Sequence, residues 1–202
     1  MANTGKVTGQ IRRFLDERGF GCITDEKGVI RGTVSGEAAQ WPWAIFLCGQ
    51  DNAIVSFRAF CPIKVKTRRR TAAAEYLTRA NWGLNFGNFE MDWSDGEVIF
   101  RTSVPVTTAG ISVKALSDLV YCPCGMMERY LAGLLAVAVG NADPQTTLAE
   151  AEADRPPTTP HEPPTGDDPL STDAADAVNG PAIREVSAEK AARLNRMFGG
   201  EN

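Results

Sequence analysis

Histidine is almost missing from this chain: its 202 residues include one, His161, set among prolines. With no other imidazole, a Ser/His/Asp or Cys/His nucleophile system is excluded. Cysteines are few and odd in number (Cys22, Cys48, Cys61, Cys122, Cys124). The first three sit among apolar residues, where a reduced thiol behaves as a small hydrophobe, and the set is expected of a reducing cytoplasm. Cys122 and Cys124 are separated by one residue, too few for a zinc knuckle, and no second pair completes a site. No metal and no cofactor are therefore expected. Long apolar runs are lacking as well. The most apolar stretch, from Leu131 to Val139, is about half of the ~20 residues a bilayer crossing needs, and no basic, apolar leader follows Met1. Membrane association is not expected.

Charge of one sign is also scarce, with a net −4 overall. Its distribution is uneven. Between Asp143 and Glu185 ten acids face only Arg155 and Arg184, which leaves −8 there and +4 elsewhere. That surplus is too small to bind nucleic acid on electrostatics. The same region holds eight of the twelve prolines and almost no large apolar residue. Such a segment cannot bury enough surface to offset its ordering entropy. The organisation expected is a folded domain over 1–141, a disordered Pro- and acid-rich linker over 142–185, and a short amphipathic helix over 186–202. In that last helix Ala191, Leu194, Met197 and Phe198 share a face.

What is present is a well-punctuated α+β pattern. Val7, Ile11, Phe14 and Leu15 line one face of a first helix that Gly19 stops. Two short strands flank Asp25-Glu26-Lys27-Gly28, and a second hairpin joins Trp43–Cys48 to Ala53–Phe60 through Gly49–Asn52. Ala73, Tyr76, Leu77 and Ala80 recur at helical spacing until Asn81 and Gly83. A hairpin follows, with Ser94-Asp95-Gly96 as its turn. Ser112 is an N-cap for a helix carrying Leu116, Leu119 and Val120, which Pro123 is expected to break or kink before a second helix from about Gly125. The fold class is α+β, an antiparallel sheet covered by helices on one side.

The stretch from Arg68 to Leu135 resembles the YbjN family of bacterial sensory-transduction regulators. The likeness rests on Arg70, Ala74, Tyr76, Leu77, Asn81, Trp82, Leu84, Gly87, Phe89, Glu90, Asp95, Gly96, Val98, Phe100, Arg101 and Ser112. From Val7 to Pro62 only the order of elements is similar, and the tail lies outside the pattern, as does Cys122-Pro123-Cys124. The resemblance implies a fold like that of type III secretion chaperones, commonly dimeric and peptide-binding, with no catalytic motif.

The candidate sites follow from packing surface rather than reactive groups. Gly83 and Gly87 make no phosphate loop, since no Lys-Ser/Thr follows and the order is helix to strand. Glu90, Asp92, Asp95 and Glu97 gather at a hairpin turn, where acids ordinarily form turns and solubilise. Trp82 is expected at a dimer or core seam and Trp93 near an exposed binding edge. Met126, Met127 and Tyr130 form either an adaptable peptide surface or a plain core face. Arg68, Arg69 and Arg70 open a helix against its dipole, and read either as a solvated first turn or as an electrostatic contact for the acidic tail or an acidic partner. Leu194, Met197 and Phe198 can recruit a partner or fold back on the domain. The chain thus reads as a cytoplasmic, non-enzymatic protein- or peptide-binding module, chaperone-like or regulatory, and a homodimer. It takes a protein or peptide client rather than nucleic acid, membrane or a small-molecule substrate. The alternative is a signalling or assembly adaptor whose tail and C-terminal helix do the recruiting.

Overall fold

A computed structural model describes residues 4–153. Helix α1 (Thr4–Glu17) leads into strands β1 (Cys22–Thr24), β2 (Ile30–Ser35), β3 (Gln40–Cys48) and β4 (Ile54–Phe60). Helix α2 (Arg70–Trp82) precedes β5 (Asn88–Met91) and β6 (Val98–Pro105), and α3 (Val113–Ala138) and α4 (Pro144–Glu152) complete the described chain. The six strands form one antiparallel sheet in the order β1-β2-β3-β4-β6-β5. The expected α+β architecture holds.

Alternation decides which side of the sheet is core. Trp43 stands opposite Ala59, Ile45 opposite Phe57, and Phe100 opposite both Ala59 and Phe89. All of these are buried. Trp43 and Phe57 stack with ring centroids 5.3 Å apart. Room for Trp43 comes from Gly32, its partner on β2, where a Cβ would lie 2.4 Å from the indole. All four helices lie on this side. Phe14 of α1 meets Tyr121 of α3 edge-on, Phe20 meets Trp43, and Asn81 of α2 hydrogen-bonds both the N–H and the carbonyl of Phe89. The Tyr76 hydroxyl donates to the Tyr130 carbonyl across the α2–α3 seam at 3.0 Å.

Two elements differ from expectation. Helix α3 runs unbroken for 26 residues with Pro123 inside it. A proline in that place removes the N–H that would bond the carbonyl of Leu119, four residues back. Here the buried Thr102 hydroxyl of β6 donates to that carbonyl at 2.8 Å, so the orphaned acceptor is satisfied from the sheet. Helix α4 falls inside the span read as a linker. Asp143 caps it by accepting from Thr146 N–H, Pro144 occupies its first turn, and it packs on α2 and α3. The proline count concealed a helix start that Asp143-Pro144 encodes.

Replacing Thr102 by valine leaves the Leu119 carbonyl buried and unpaired, and should destabilise the fold by about 1–3 kcal/mol in urea denaturation. In a Pro123→Ala background the restored N–H takes over that carbonyl, so the same change should cost much less. Equal costs in both backgrounds would refute the pairing.

Candidate functional site: the open face of the sheet

The opposite side of the sheet carries no helix among the described residues. Its outward positions ought to be polar in a half-buried antiparallel sheet. Many are not. Phe46, Phe60 and Ile99 point this way, half-buried and apart from the core cluster, with Ile23 and Ile54 exposed. Phe60 stands opposite Ile99, and Ile54 opposite both Cys48 and Pro105.

Across the middle of this face runs one cross-strand row: Ile23, Arg31, Ala44, Arg58, Arg101 and Asn88, each the register partner of the next. Three arginines therefore sit in a line, with strands spaced about 4.8 Å apart. The outer two are neutralised. Arg31 Nη2 pairs with Asp25 at 2.9 Å, and Arg101 pairs with Glu90. Burial acts to raise the Asp25 pKa, but the Val29 and Lys27 N–H groups and Arg31 outweigh it and hold the carboxyl below its usual range. Arg58 is different. Its guanidinium lies over the Phe46 ring at 4.4 Å, its Nε is buried with no acceptor, and no carboxylate among the described residues pairs with it. The face thus presents one unneutralised cation flanked along the strands by aromatic and aliphatic surface.

The side chains singled out from sequence fall elsewhere. Trp82 is 94% exposed, so it belongs to no core seam within the chain, and Trp93 is 59% exposed. Arg70 at the start of α2 donates to the Trp93 carbonyl while Trp82 ends that helix, so the two indoles mark opposite ends of a helix about 20 Å long. Met127 and Tyr130 are buried and Met126 is half-buried, the core alternative for that group. The Tyr130 hydroxyl is directed to Glu152 of α4 at 2.9 Å.

The arginine run separates by residue. Arg69 donates to the carbonyls of Val137 and Ala142 and to the Asn141 side chain, closing the C-terminal end of α3. Arg70 donates to the carbonyls of Val65, Trp93 and Ser94. Both are engaged by their own fold, which corrects their reading as a contact for a tail or partner. Arg68 is exposed. Leu194, Met197 and Phe198 lie outside the described residues.

At the β5–β6 turn, hydrogen bonds from the Ser94 hydroxyl and N–H hold the Asp92 carboxyl below its usual range, and the Lys64 ammonium and Glu97 N–H do the same for Asp95. These are ionised turn formers, not proton donors. Gly96 completes the turn at φ 81°, where a Cβ would lie 2.0 Å from the Val65 carbonyl oxygen. Burial pushes the thiols of Cys61 and Cys122 up to about 11 and that of Cys124 to about 12. Cys122 Sγ rests 3.3 Å from the Phe86 carbonyl oxygen. Among the described residues, no group of three or more His, Cys, Asp or Glu is placed to hold a metal ion. Nor is any described helix long and apolar enough to cross a membrane.

Sequence reasoning missed the open face. The signal was available in Ile54–Phe60, where Arg58 is the one charged residue of a largely apolar strand. The alignment of Arg58 with Arg31 and Arg101 needs the register.

Fold and face together define a two-layer α+β protein whose sheet, among the described residues, is covered on one side and open on the other. Its sequence matches the YbjN family, described as "Putative bacterial sensory transduction regulator", over residues 9–136, and the chain belongs to that family. The match stops inside α3, so α4 lies beyond it. Among solved structures, YbjN from E. coli is similar at 14% identity and a TM-score of 0.46, over 61% of this chain and 87% of that one. A chain of the ExsC-ExsE complex is similar at 16% identity and a TM-score of 0.45, over 65% of this chain and 95% of that one. No curated protein matches the sequence.

The thiol environments lead to a measurable result. A pKa raised above the ordinary value near 8.5 lowers the thiolate fraction at pH 8, and the higher nucleophilicity of the thiolate offsets only part of that loss. Cys61, Cys122 and Cys124 in the folded protein should be alkylated at least about tenfold more slowly than a free thiol at pH 8, with rates climbing towards pH 11. A fast phase at pH 8 assigned by mass spectrometry to Cys122 or Cys124 would restore redox chemistry there.

Proposed function

We propose that this protein is a non-enzymatic, cytoplasmic binding module that holds a protein or peptide client against the open face of its sheet. The observation that carries the reading is Arg58. A guanidinium with no carboxylate partner among the described residues, set between Phe46 on one side and Phe60 and Ile99 on the other, is poorly used by the described domain. A partner that covers the aromatic surface would also supply the missing acceptor. Apolar patches of this kind on a sheet commonly serve association. The family's description as a regulator agrees with binding rather than turnover, and burial raises the thiol pKa of Cys122 and Cys124, which disfavours a thiolate nucleophile at that pair.

A homodimer is part of this reading. Trp82 has the greatest fractional exposure of the large apolar side chains described, and a second copy would bury it. Sedimentation should give twice the chain mass, and Trp82→Ala should shift it towards one.

The client test compares three proteins: the full chain, the double variant Phe46→Ser/Ile99→Ser, and a chain ending at 153. The fold continues through α4, so a truncation at Asn141 would damage the domain itself. The client should stay bound to the shortened chain and be weakened by at least about tenfold in the double variant, since each lost apolar contact contributes on the order of 1–2 kcal/mol. Full binding by the double variant with loss on truncation would instead show that the tail is the recruiting element.

A further inference from the structure

The open face and the chain's own acidic segment are complementary in charge, although the described chain ends at α4, on the covered side of the sheet. From 156 to 183 the sequence has no lysine or arginine and five acids, Glu162, Asp167, Asp168, Asp173 and Asp176. Within it, Asp167-Asp168-Pro169-Leu170-Ser171-Thr172-Asp173 sets one large aliphatic side chain between carboxylates. The face offers the inverse arrangement, an unneutralised guanidinium at Arg58 between Phe46 and the Phe60–Ile99 pair.

The attraction is local. Residues 4–153 contain 16 Lys and Arg against 16 Asp and Glu, so no net field draws an acidic segment to this domain. Reach is adequate. Glu152, the last residue of α4, accepts from Tyr130, whose ring lies 5.7 Å from Phe89 on the covered side of edge strand β5, so the segment must first pass round that edge, on the order of one helix diameter or ~10 Å. Arg58 is on the third strand from that edge, two spacings or about 10 Å across the sheet. The 14 residues from Asp154 to Asp167 have a contour of up to ~46 Å, enough for the edge and the crossing together. Proline also suits an extended segment that does not continue the sheet's hydrogen bonding.

We infer that the segment around Asp167–Asp173 docks across the open sheet face in the resting protein, placing a carboxylate on Arg58 and Leu170 against Phe46 or Ile99, so that a client must displace it. This rests on the open face being the client site. Tethering gives the segment a millimolar-scale effective concentration, enough to hold a weak contact and yield to a stronger one.

The test uses the full ¹⁵N-labelled chain as wild type, as Asp167→Asn/Asp168→Asn/Asp173→Asn, and as Arg58→Gln. Neutralising the acids leaves the domain's own side chains untouched. It should shift amides on β3, β4 and β6 around Phe46, Arg58 and Ile99, and Arg58→Gln should reciprocally shift amides of 167–173. Raising salt to about 0.5 M should move the wild-type spectrum towards the neutralised one. A synthetic peptide of residues 160–176 should bind the neutralised chain about tenfold more tightly than the wild type, where the tethered copy competes. Face amides identical in wild type and the neutralised variant would overturn the docking, and so would face shifts that grow with protein concentration, which would place a second copy there. If the docking fails while client binding still depends on Phe46 and Ile99, the proposed client face stands. Client binding indifferent to those two residues would remove the client face whatever the tail does.

Discussion

The Thr102 hydroxyl donating to the Leu119 carbonyl is the contact on which the layered arrangement depends. Helix α3 is the element against which α1, α2 and α4 all pack, and it must lie against β4 and β6 over its length. Its proline would ordinarily leave a buried acceptor without a donor and bend the helix off the sheet. By offering a donor at that height, β6 turns the helix's weak point into its attachment. Arg69 repeats the device at the end of α3, where it donates to the Val137 carbonyl, and Tyr76 adds a second donor at the Tyr130 carbonyl in the helix interior.

With the helices drawn to one side, the two faces of the sheet meet different physical demands. The inner face is filled by Trp41, Trp43, Phe57 and Phe100, all fully buried. The outer face has no covering layer among the described residues, yet retains Phe46, Phe60 and Ile99 and a row of arginines. Ion pairs with Asp25 and Glu90 quiet the ends of that row, and its centre stays unmatched. A domain optimised only for its own stability would place threonine or a neutralised charge there.

Much of the fold was legible from local chemistry. The Ala73, Tyr76, Leu77 and Ala80 periodicity, the Gly96 turn and the Ser112 cap appear in the structure as read, because each depends on backbone preferences within a few residues. Pro123 misled because its effect depends on a hydroxyl supplied from β6, 21 positions earlier in the chain. The Asp143-Pro144 helix start was hidden by the composition around it. Of the four tryptophans, Trp41 and Trp43 lie in the core, while Trp82 and Trp93 are exposed near opposite ends of α2, a division that the sequence pattern does not carry.

The sequence by itself determined the element order, the α+β class, the family likeness and the chemistry held in reserve: one histidine, scattered thiols and an acid-rich tail. These follow from periodicity, capping and composition, which act over short distances along the chain. Only the tertiary structure decided which side of the sheet the described helices leave open, that Arg69 and Arg70 serve their own backbone, and that Arg31, Arg58 and Arg101 stand in one row, the middle one unmatched among the described residues. Strand register sets those relations between residues far apart in sequence, where hydrogen-bonded pairing and helix packing choose the neighbours that pattern alone leaves open.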